Sequence, residues 1–327
     1  MTRQLIRVGA AIVLSVALTA PVQAETLKFL VSWGPNNVVA HMPAAEFAKN
    51  LKAANTDLTT EISGPETVPP FEQMTPVSTG VFDLLYTHPA YHSKGLAVVT
   101  NAMKPDTDKI RSSGVFAAID DYYQKNHNMK LLALVPVGTH GYHCYLREPL
   151  SADGDWKGRK IRGVSTYVGV IKELGGAPVS TTMGEVYSSL EKGVIDGACA
   201  PINVFRATKH YEVAKYRTEP TFGQLVSMIG MNLDKWKSLT DAQRATLDAV
   251  GKATEADTKR IGDESLEVDN KAMAAAGVTV TKFPDSVTKR VHSVYYSSVW
   301  DVARKCCGDA VPELEALVKK AGLGIAN

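Results

Sequence analysis

Two histidine pairs have spacings that could bind a metal ion. His88 and His92 are four residues apart, and His140 and His143 are three residues apart. Neutral imidazoles are common metal ligands, and pairs at such spacings can share one ligand shell. Pro89 follows His88 directly and disfavours a helix at that point, which weakens the first pair. The spacing therefore keeps a periplasmic metal-binding receptor among the alternatives, although we expect no metal in the protein.

The sequence lacks the signatures of several enzyme classes. It contains no G-x-S-x-G elbow, no phosphate-binding P-loop, no H-E-x-x-H pair and no dinucleotide-binding fingerprint. Serine and histidine are plentiful, so a secreted hydrolase with a dispersed triad is a second alternative. We predict a binding protein that needs no cofactor rather than an enzyme.

The four cysteines give no metal-binding or redox motif. Cys144, Cys199, Cys306 and Cys307 include no C-x-x-C pair, which excludes a zinc ribbon and a thioredoxin motif. In an oxidising compartment they can pair or stay reduced. A bond between the neighbours Cys306 and Cys307 is geometrically awkward, because one peptide bond holds their α-carbons about 3.8 Å apart. The sequence leaves the pairing open.

The elements that must position such residues alternate between strand and helix. Strands are predicted over 27–33, 58–63 and 82–87, with helices over 39–54 and 71–79. After a strand over 131–137, a second group has strands over 160–164, 179–181 and 195–200, with helices over 167–174 and 185–191 between them. This alternation predicts an α/β fold with largely parallel sheets. Because the rhythm pauses and restarts, we predict two lobes.

The predicted lobes are built from alternating parts of the chain and share one long helix. We assign 25–138 plus 225–265 to lobe I and 139–224 plus 266–327 to lobe II, with crossings near Gly138 and Gln224. Thr240 and Gln243 fit a capping box, and Gly277 is a suitable stop. The helix between them would have about 35 residues and a length of about 50 Å. It is too long for one small lobe, so we expect it to bridge both.

The first 24 residues have the layout of a secretory signal peptide. Arg3 and Arg7 precede an apolar run over 8–18, and small residues lead to Ala24. The apolar run is too short to span a bilayer. The mature chain would begin at Glu25 without net charge, because the two signal arginines account for the charge of +2. We therefore expect a periplasmic monomer and no nucleic-acid partner.

Four ordered motifs resemble a known family of receptors. They are G-R-K-I-R at 158–162, L-G-G-A-P-V at 174–179, G-E-V-Y-S-S-L at 184–190 and G-V-I-D-G at 193–197. Their order and spacing resemble those of the extracytoplasmic solute receptors of TRAP transporters (tripartite ATP-independent periplasmic transporters, the DctP-like family). The resemblance spans essentially the mature chain. It implies two α/β lobes that close on a small organic carboxylate, and delivery of that solute to the TRAP membrane permease subunits.

The same resemblance implies the role of one arginine. Arg162 matches the arginine that forms a bidentate pair with the ligand carboxylate in the family. The planar guanidinium fork fits the two oxygens of a carboxylate, and such charge-assisted bonds are strong. Spacing alone would also fit an exposed basic residue beside Arg159 and Lys160.

Two departures from the family pattern concern the rest of the site. Many members carry a second arginine about twenty residues upstream, where this chain has His140, Tyr142 and His143 as alternative hydrogen-bonding residues. Because the second arginine is missing, the sequence leaves open whether a cation assists the binding of the carboxylate. Many members also read D-G-Q-E-N-P, where this chain has Ala200 in place of the asparagine and Asn203 just beyond it.

These departures make the predicted pocket more apolar than a sugar-acid site. Aromatic residues cluster at predicted strand ends, where ligands of open α/β sheets bind, and include Tyr91 and Tyr145. They can stack on a flat ligand, beside Met183 as an adaptable wall. We therefore predict an aromatic or 2-oxo acid as the ligand. The predicted ligand-binding residues are Arg162, Trp33, Tyr86, His88, Tyr142, His143, Met183, Asn203 and Phe222.

Overall fold

The computed structural model describes residues 24–92 and 94–324 of the chain. The predicted signal peptide therefore lies, apart from Ala24, outside the described residues. Within the described part, no helix has both the length and the apolar character needed to cross a membrane.

The strands of the described residues form two mixed β-sheets. In chain order they are β1 (Glu25–Val31), β2 (Leu58–Ser63), β3 (Leu84–Thr87), β4 (Met129–Pro136), β5 (His143–Leu146), β6 (Lys160–Arg162), β7 (Ala177–Val179), β8 (Gly197–Ala200), β9 (Tyr216–Glu219), β10 (Val226–Asn232) and β11 (Thr279–Lys282). The sheet of lobe I has the order β2-β1-β3-β10-β4, and the sheet of lobe II has the order β11-β9-β5-β8-β6-β7.

Helices cover the faces of both sheets. They are α1 (Val38–Ala53), α2 (Met74–Ser78), α3 (Thr107–Ser112), α4 (Val115–His127), α5 (Val168–Glu173), α6 (Val186–Glu191), α7 (Ile202–Ala207), α8 (Leu233–Ser238), α9 (Asp241–Ala275), α10 (Asp285–Cys307) and α11 (Val311–Lys320). The predicted two-lobed α/β class with a long helix is confirmed.

The sheets are less parallel than the sequence indicates. In lobe I, β1 pairs in parallel with β2 and β3, as the βαβ rhythm predicts. Strand β10, however, returns from lobe II and inserts between β3 and β4, antiparallel to both. In lobe II, β5 is antiparallel to β8 and β9. Both departures involve strands beside the crossings between the lobes, where the chain changes direction.

The chain passes from lobe I to lobe II between β4 and β5, and returns between β9 and β10. Gly138 and Gln224 lie in these two segments. Gly138 has φ +78° and packs directly on Gly262 in the middle of α9. A Cβ added to Gly262 would lie only 2.3 Å from the main-chain nitrogen of Gly138. Only glycine fits such a backbone contact, so the crossing lies tightly against the long helix.

Helix α9 contacts both lobes along its 35 residues. Thr240 and Gln243 form the predicted capping box at its start. In its first half, Glu255 pairs with Arg111 and accepts a hydrogen bond from the main-chain nitrogen of Leu134 at 2.7 Å. In its second half, the buried Asp269 pairs with Arg206 of α7. The helix therefore bridges the two sheets.

Helix α10 is a second bridge, which the sequence analysis did not anticipate. Its first part packs into the core of lobe II through Val287 and Tyr295, whereas Ala303 near its end belongs to the core of lobe I. Helix α11 follows into the lobe I core through Leu314 and contacts α4. The chain thus ends in lobe I, which differs from the assignment of all of 266–327 to lobe II. With 23 residues, helix α10 is long enough to take the chain from lobe II to lobe I.

Candidate functional site between the lobes

A cavity lies between the lobes, at the ends of strands from both sheets. Its volume is about 470 Å³, including its opening to solvent. Lobe I contributes Trp33, Ala40, Tyr86, His88, Tyr91, Val137, Leu225 and Ser227. Tyr142, Arg162, Val164, Tyr167, Met183, Cys199, Ala200, Pro201 and Val204 line the other side. The space suits a small molecule that is enclosed on most sides.

Arg162 is the charged side chain in this lining, and it is only 2% exposed. It ends β6, and its Nε and Nη2 donate to the Thr181 carbonyl oxygen at 3.0 and 2.9 Å. Among the described residues, no carboxylate lies within the 4.0 Å of an ion pair with this guanidinium. The Thr181 carbonyl occupies one edge of the fork and leaves the edge formed by Nη1 and Nη2. A buried cation with a free edge is suited to an anionic ligand.

His88 lines the cavity as a neutral ring. Its Nε2 donates to Asn101 Oδ1 at 3.1 Å, and its Nδ1 accepts from the Ala90 main-chain nitrogen at 3.3 Å. Burial lowers the pKa of His88 to about 4, the hydrogen bond with Asn101 opposes this, and the charge of Arg162 lowers it further. Both ring nitrogens are therefore already used, and the imidazole offers a ligand its surface rather than a hydrogen bond.

Aromatic rings form the lobe I wall around His88. The ring centroid of Trp33 lies 5.2 Å from that of Tyr86 and 5.6 Å from that of Tyr91. On the other side of the cavity, Tyr142 and Tyr167 meet edge to face at 4.8 Å. Burial raises the pKa of Tyr86 above its ordinary value, so its hydroxyl stays neutral. This surface can pack against a flat or apolar ligand body.

A wider groove adjoins the cavity and opens to solvent. It shares Trp33, Tyr91 and Met183 with the cavity and has a volume of about 1100 Å³ including open solvent. Glu185 lies on its lobe II side, where hydrogen bonds from Thr181 and Thr182 lower the pKa of the carboxyl. The groove therefore adjoins the cavity along the residues that the two share, Trp33, Tyr91 and Met183.

Six of the nine predicted site residues line the cavity: Arg162, Trp33, Tyr86, His88, Tyr142 and Met183. The other three lie elsewhere, because local bonds or packing hold them. His143 begins β5, and its Nδ1 bonds to the Thr218 carbonyl oxygen at 2.8 Å. Asn203 accepts at 2.8 Å from the main-chain nitrogen of its neighbour Val204, at the start of α7. Phe222 packs on Tyr295 behind the cavity, with ring centroids 5.3 Å apart.

Several lining residues were not among the predicted ligand-binding residues. Tyr91 belongs to the aromatic cluster but was not assigned to the site. Tyr167 lies five residues beyond Arg162 in the turn that follows β6, so the strand-end rule could have found it. Ser227 gave no signal, because it reaches the cavity only through the insertion of β10 into the lobe I sheet.

The structure pairs the four cysteines in two disulfides. Cys144 and Cys199 are bonded across the neighbouring strands β5 and β8, and Cys199 is part of the cavity wall. Cys306 and Cys307 are bonded to each other at the end of α10. The sequence had left both pairings open.

The histidine pairs do not form a metal centre in the described part of the chain. There, no group of three or more histidine, cysteine, aspartate or glutamate side chains could hold a metal ion. His88 bonds to Asn101, and His92 Nε2 bonds to Thr87 Oγ1 at 3.0 Å. His140 faces Asp263 of α9 at 3.2 Å, whereas His143 bonds to Thr218. The members of each pair therefore have separate partners.

The chain is similar in sequence to known solute-binding proteins. The family described as "Bacterial extracellular solute-binding protein, family 7" (DctP) matches residues 101–304. The ectoine-binding periplasmic protein TeaA of Halomonas elongata is 30% identical over 178 residues, 51% of each chain. The 2,3-diketo-L-gulonate-binding periplasmic protein YiaO of Escherichia coli is 26% identical over 162 residues, 47% of this chain and 49% of that protein. The chain spans about half the length of the curated relatives it matches.

Solved structures share the fold over nearly the whole chain. DctP7 of Bordetella pertussis, an extracytoplasmic solute receptor that binds pyroglutamic acid, has a TM-score of 0.76 at 17% identity and covers 90% of this chain and 100% of its own. TeaA of Halomonas elongata has a TM-score of 0.76 at 21% identity and covers 91% of this chain and 99% of its own. At these identities the likeness shows the two-lobed fold.

Proposed function

Because this chain belongs to family 7 of the bacterial extracellular solute-binding proteins, we propose that it is a periplasmic receptor for a small organic carboxylate. It binds the acid between its two lobes and delivers it to the permease subunits of a TRAP-type transporter. It acts as a monomer that is exported by its signal peptide, and it binds its solute without catalysis or cofactor.

The observation that carries this proposal is the buried guanidinium of Arg162, which has no carboxylate partner within the described ranges 24–92 and 94–324. A charge that is only 2% exposed is costly to bury unless an anion compensates it. The free edge formed by Nη1 and Nη2 matches the two oxygens of one carboxylate. The other cavity-lining side chains are uncharged or neutral, which favours a ligand with a single negative charge.

The lining further favours an aromatic or 2-oxo acid. Trp33, Tyr86 and Tyr91 offer ring faces, and the side chain of Ala200 offers no hydrogen-bonding group. His88 has no nitrogen left for a ligand hydroxyl. A polyhydroxylated sugar acid would lose its hydration in this cavity, and the few hydroxyl groups of the lining would replace only part of it, so its desolvation is unfavourable.

The metal-binding and hydrolase alternatives find no support in this geometry. The members of each histidine pair have separate partners, and His88 is fixed by Asn101 and Ala90. A base must lie within hydrogen-bond reach of its nucleophile, and both nitrogens of His88 are committed elsewhere.

A thermal-shift screen of the protein from Glu25 onward tests the proposal. The panel contains aromatic acids, 2-oxo acids, sugar acids and divalent cations. A ligand at one hundred times its Kd stabilises the fold by about 2.7 kcal/mol. We expect an aromatic or 2-oxo acid to raise the Tm of the wild type and to lose this effect in Arg162→Ala.

Arg159→Ala is the matched control, because Arg159 lies in the same motif but does not line the cavity, and its guanidinium donates to the carbonyl oxygens of Glu148 and Pro149. It should keep the ligand-induced shift. A shift that survives in Arg162→Ala would contradict the assigned anion site. A shift with sugar acids alone would contradict the ligand class, and a shift with cations alone would restore the metal-binding alternative.

A further inference from the structure

Asn101 is a fully buried side chain whose hydrogen-bonding groups are all used. Its Oδ1 accepts from His88 Nε2 at 3.1 Å, from the Tyr142 hydroxyl at 3.1 Å and from the Val226 main-chain nitrogen at 3.3 Å. Its Nδ2 donates to the carbonyl oxygens of Val98 at 3.2 Å and Val226 at 3.3 Å. Five hydrogen bonds thus converge on one carboxamide.

The partners of Asn101 come from the parts of the molecule that shape the cavity. His88 and Tyr142 both line it. Tyr142 lies in the first crossing, between β4 and β5, and Val226 begins β10 directly after the second crossing. One side chain therefore joins both crossings to two residues of the cavity wall.

We propose that Asn101, which does not itself line the cavity, is a positioning residue that holds His88 in its Nε2–H tautomer and ties His88 and Tyr142 to the two crossings. Through these hydrogen bonds, a movement of either crossing would also move His88 and Tyr142 and so change the shape of the cavity. The inference rests on the proposed function only in taking this cavity as the ligand site.

A carboxamide is suited to this place because it both accepts and donates. A carboxylate could accept from His88 and Tyr142 but could not donate to Val98 and Val226. A leucine of similar size would leave the main-chain and His88 donors without a partner in a dry interior, which is unfavourable. Asn101 therefore specifies an arrangement that neither substitution preserves.

The charges around His88 determine how a substitution at Asn101 would change its titration. The charge of Arg162 disfavours protonation of the His88 ring. His92 is a buried neutral neighbour, and burial is the main cause that lowers its own pKa to about 4. Tyr91 contacts the ring edge to face, with centroids 5.9 Å apart. Asn101→Asp would place a carboxylate against Nε2–H, and an adjacent negative charge raises the pKa of an imidazole.

The test is the ¹⁵N NMR spectrum of the histidine rings in the ligand-free protein between about pH 5 and 8. The signals of His88 are assigned by their loss in His88→Asn. In the wild type we expect one neutral Nε2–H tautomer that does not titrate in this range. A titrating ring or the Nδ1–H tautomer in the wild type would overturn the proposal, and this arm depends on no variant at Asn101.

Two variants and a control extend the test. Asn101→Leu removes the acceptor of Nε2–H and leaves the bond from the Ala90 nitrogen to Nδ1 to hold the tautomer, so the ¹⁵N signal of His88 Nε2 should shift. Asn101→Asp should move the protonation of the His88 ring into the measured pH range. Asn203→Asp is the control, since Asn203 is also buried but bonds only within its own helix start, and it should leave the His88 signals unchanged. Unchanged His88 signals in both Asn101 variants, with folding verified by thermal unfolding, would contradict the positioning role.

This experiment separates the inference from the proposed function. It needs no ligand, so a wrong assignment of the transported acid leaves its outcome untouched. Conversely, a confirmed carboxylate in the thermal-shift screen would not rescue the inference if the His88 ring proves independent of Asn101.

Discussion

The two walls of the cavity differ in chemistry. The lobe I wall is built of neutral rings, Trp33, Tyr86, His88 and Tyr91, whereas the lobe II wall contains the buried cation Arg162. Packing against the rings depends on the shape and polarity of a ligand, and the guanidinium responds to its charge. Under the proposed function, the charge of the acid would thus be recognised from lobe II, whereas aromatic rings of both lobes, including Tyr142 and Tyr167, would contact its body. If the proposed function is right, a ligand would obtain both contributions only when the lobes are close together, and its binding would be coupled to closure.

The long helix α9 shows how the two lobes are kept together without merging into one. Its contacts with each lobe involve buried acids, Glu255 toward lobe I and Asp269 toward lobe II. Between them, Asp263 accepts hydrogen bonds from the nitrogen and hydroxyl of Thr139, both at 2.8 Å, in the first crossing. The middle of the helix thus lies at the point about which the lobes would move.

The largest expected effect is acid destabilisation, to which both lobes contribute. Burial lowers the pKa of His88 and His92 in lobe I and of His143 in lobe II to about 4, and that of His210 in lobe II to about 3. The unfolded chain binds these protons near pH 6.5, so stability is full above that pH and falls as the pH drops toward 4. Each such histidine lowers the free energy of unfolding by on the order of 3 kcal/mol across that pH interval.

Urea unfolding at several pH values measures this loss. His92→Gln in lobe I and His143→Gln in lobe II should each reduce the slope of the free energy of unfolding against pH. A slope that responds to one lobe alone would show that the two lobes unfold separately, and a flat profile would contradict the buried neutral imidazoles.

The second effect tests the lobe II wall. Arg162→Lys retains the charge but loses the fork, and we expect it to weaken carboxylate binding by about 2–3 kcal/mol, or roughly 30- to 150-fold. Arg162→Ala should weaken it further. Isothermal titration calorimetry with the acid found in the screen measures both. Equal affinities for wild type and lysine variant would show that a point charge suffices.

The third effect is a change of specificity in the same wall. Ala200→Asn adds a polar group where the cavity is apolar, next to the strand that carries Arg162. Binding of an aromatic acid should weaken by about 1–3 kcal/mol because the amide is buried without a partner, whereas a hydroxylated acid should lose less. The ratio of the two Kd values is the measurement. A ratio equal to that of the wild type would contradict the role of the apolar wall.

The smallest effect tests the lobe I wall. Trp33→Leu removes a ring that packs against Tyr86 and Tyr91 but leaves Arg162 untouched. Aromatic acids should bind about 0.5–1.5 kcal/mol more weakly, and aliphatic 2-oxo acids should be nearly unaffected. Competition titrations of one acid of each kind measure the difference. An equal loss of affinity for both acids would show that the ring of Trp33 supports lobe closure rather than contact with the ligand.

Much of this architecture could be read from local patterns. Strand β2 and helices α1 and α9 lie within one residue of their predicted bounds, because periodicity, breaks at Gly and Pro and the capping box of Thr240 and Gln243 act over short distances. The ordered motifs around Arg162 indicated the family, which the comparison of residues 101–304 confirms. Of the six predicted residues that line the cavity, Arg162 was named from the resemblance, whereas the aromatic residues were named because ligands of open α/β sheets bind at strand ends.

What local patterns could not supply is the set of contacts between distant segments. The insertion of β10 between β3 and β4 brings Ser227 to the cavity, and the passage of α10 between lobes takes the chain end back to lobe I. His143, Asn203 and Phe222 had plausible residue types but contact other partners. For His143 and Phe222 these partners, Thr218 and Tyr295, lie more than 70 residues away in the sequence, whereas Asn203 bonds to its neighbour Val204.

The sequence by itself thus determined the element types and the long bridging helix, which follow from short-range spacing and backbone propensity. Its ordered motifs also indicated the family, and the resemblance singled out Arg162 as the residue proposed to bind the anion. Only the tertiary structure decided which side chains share the cavity, that His88 has no free nitrogen, and that Asn101 joins both crossings. Such facts depend on hydrogen bonds between residues up to 125 positions apart, as between Asn101 and Val226, and no periodicity in the chain encodes them.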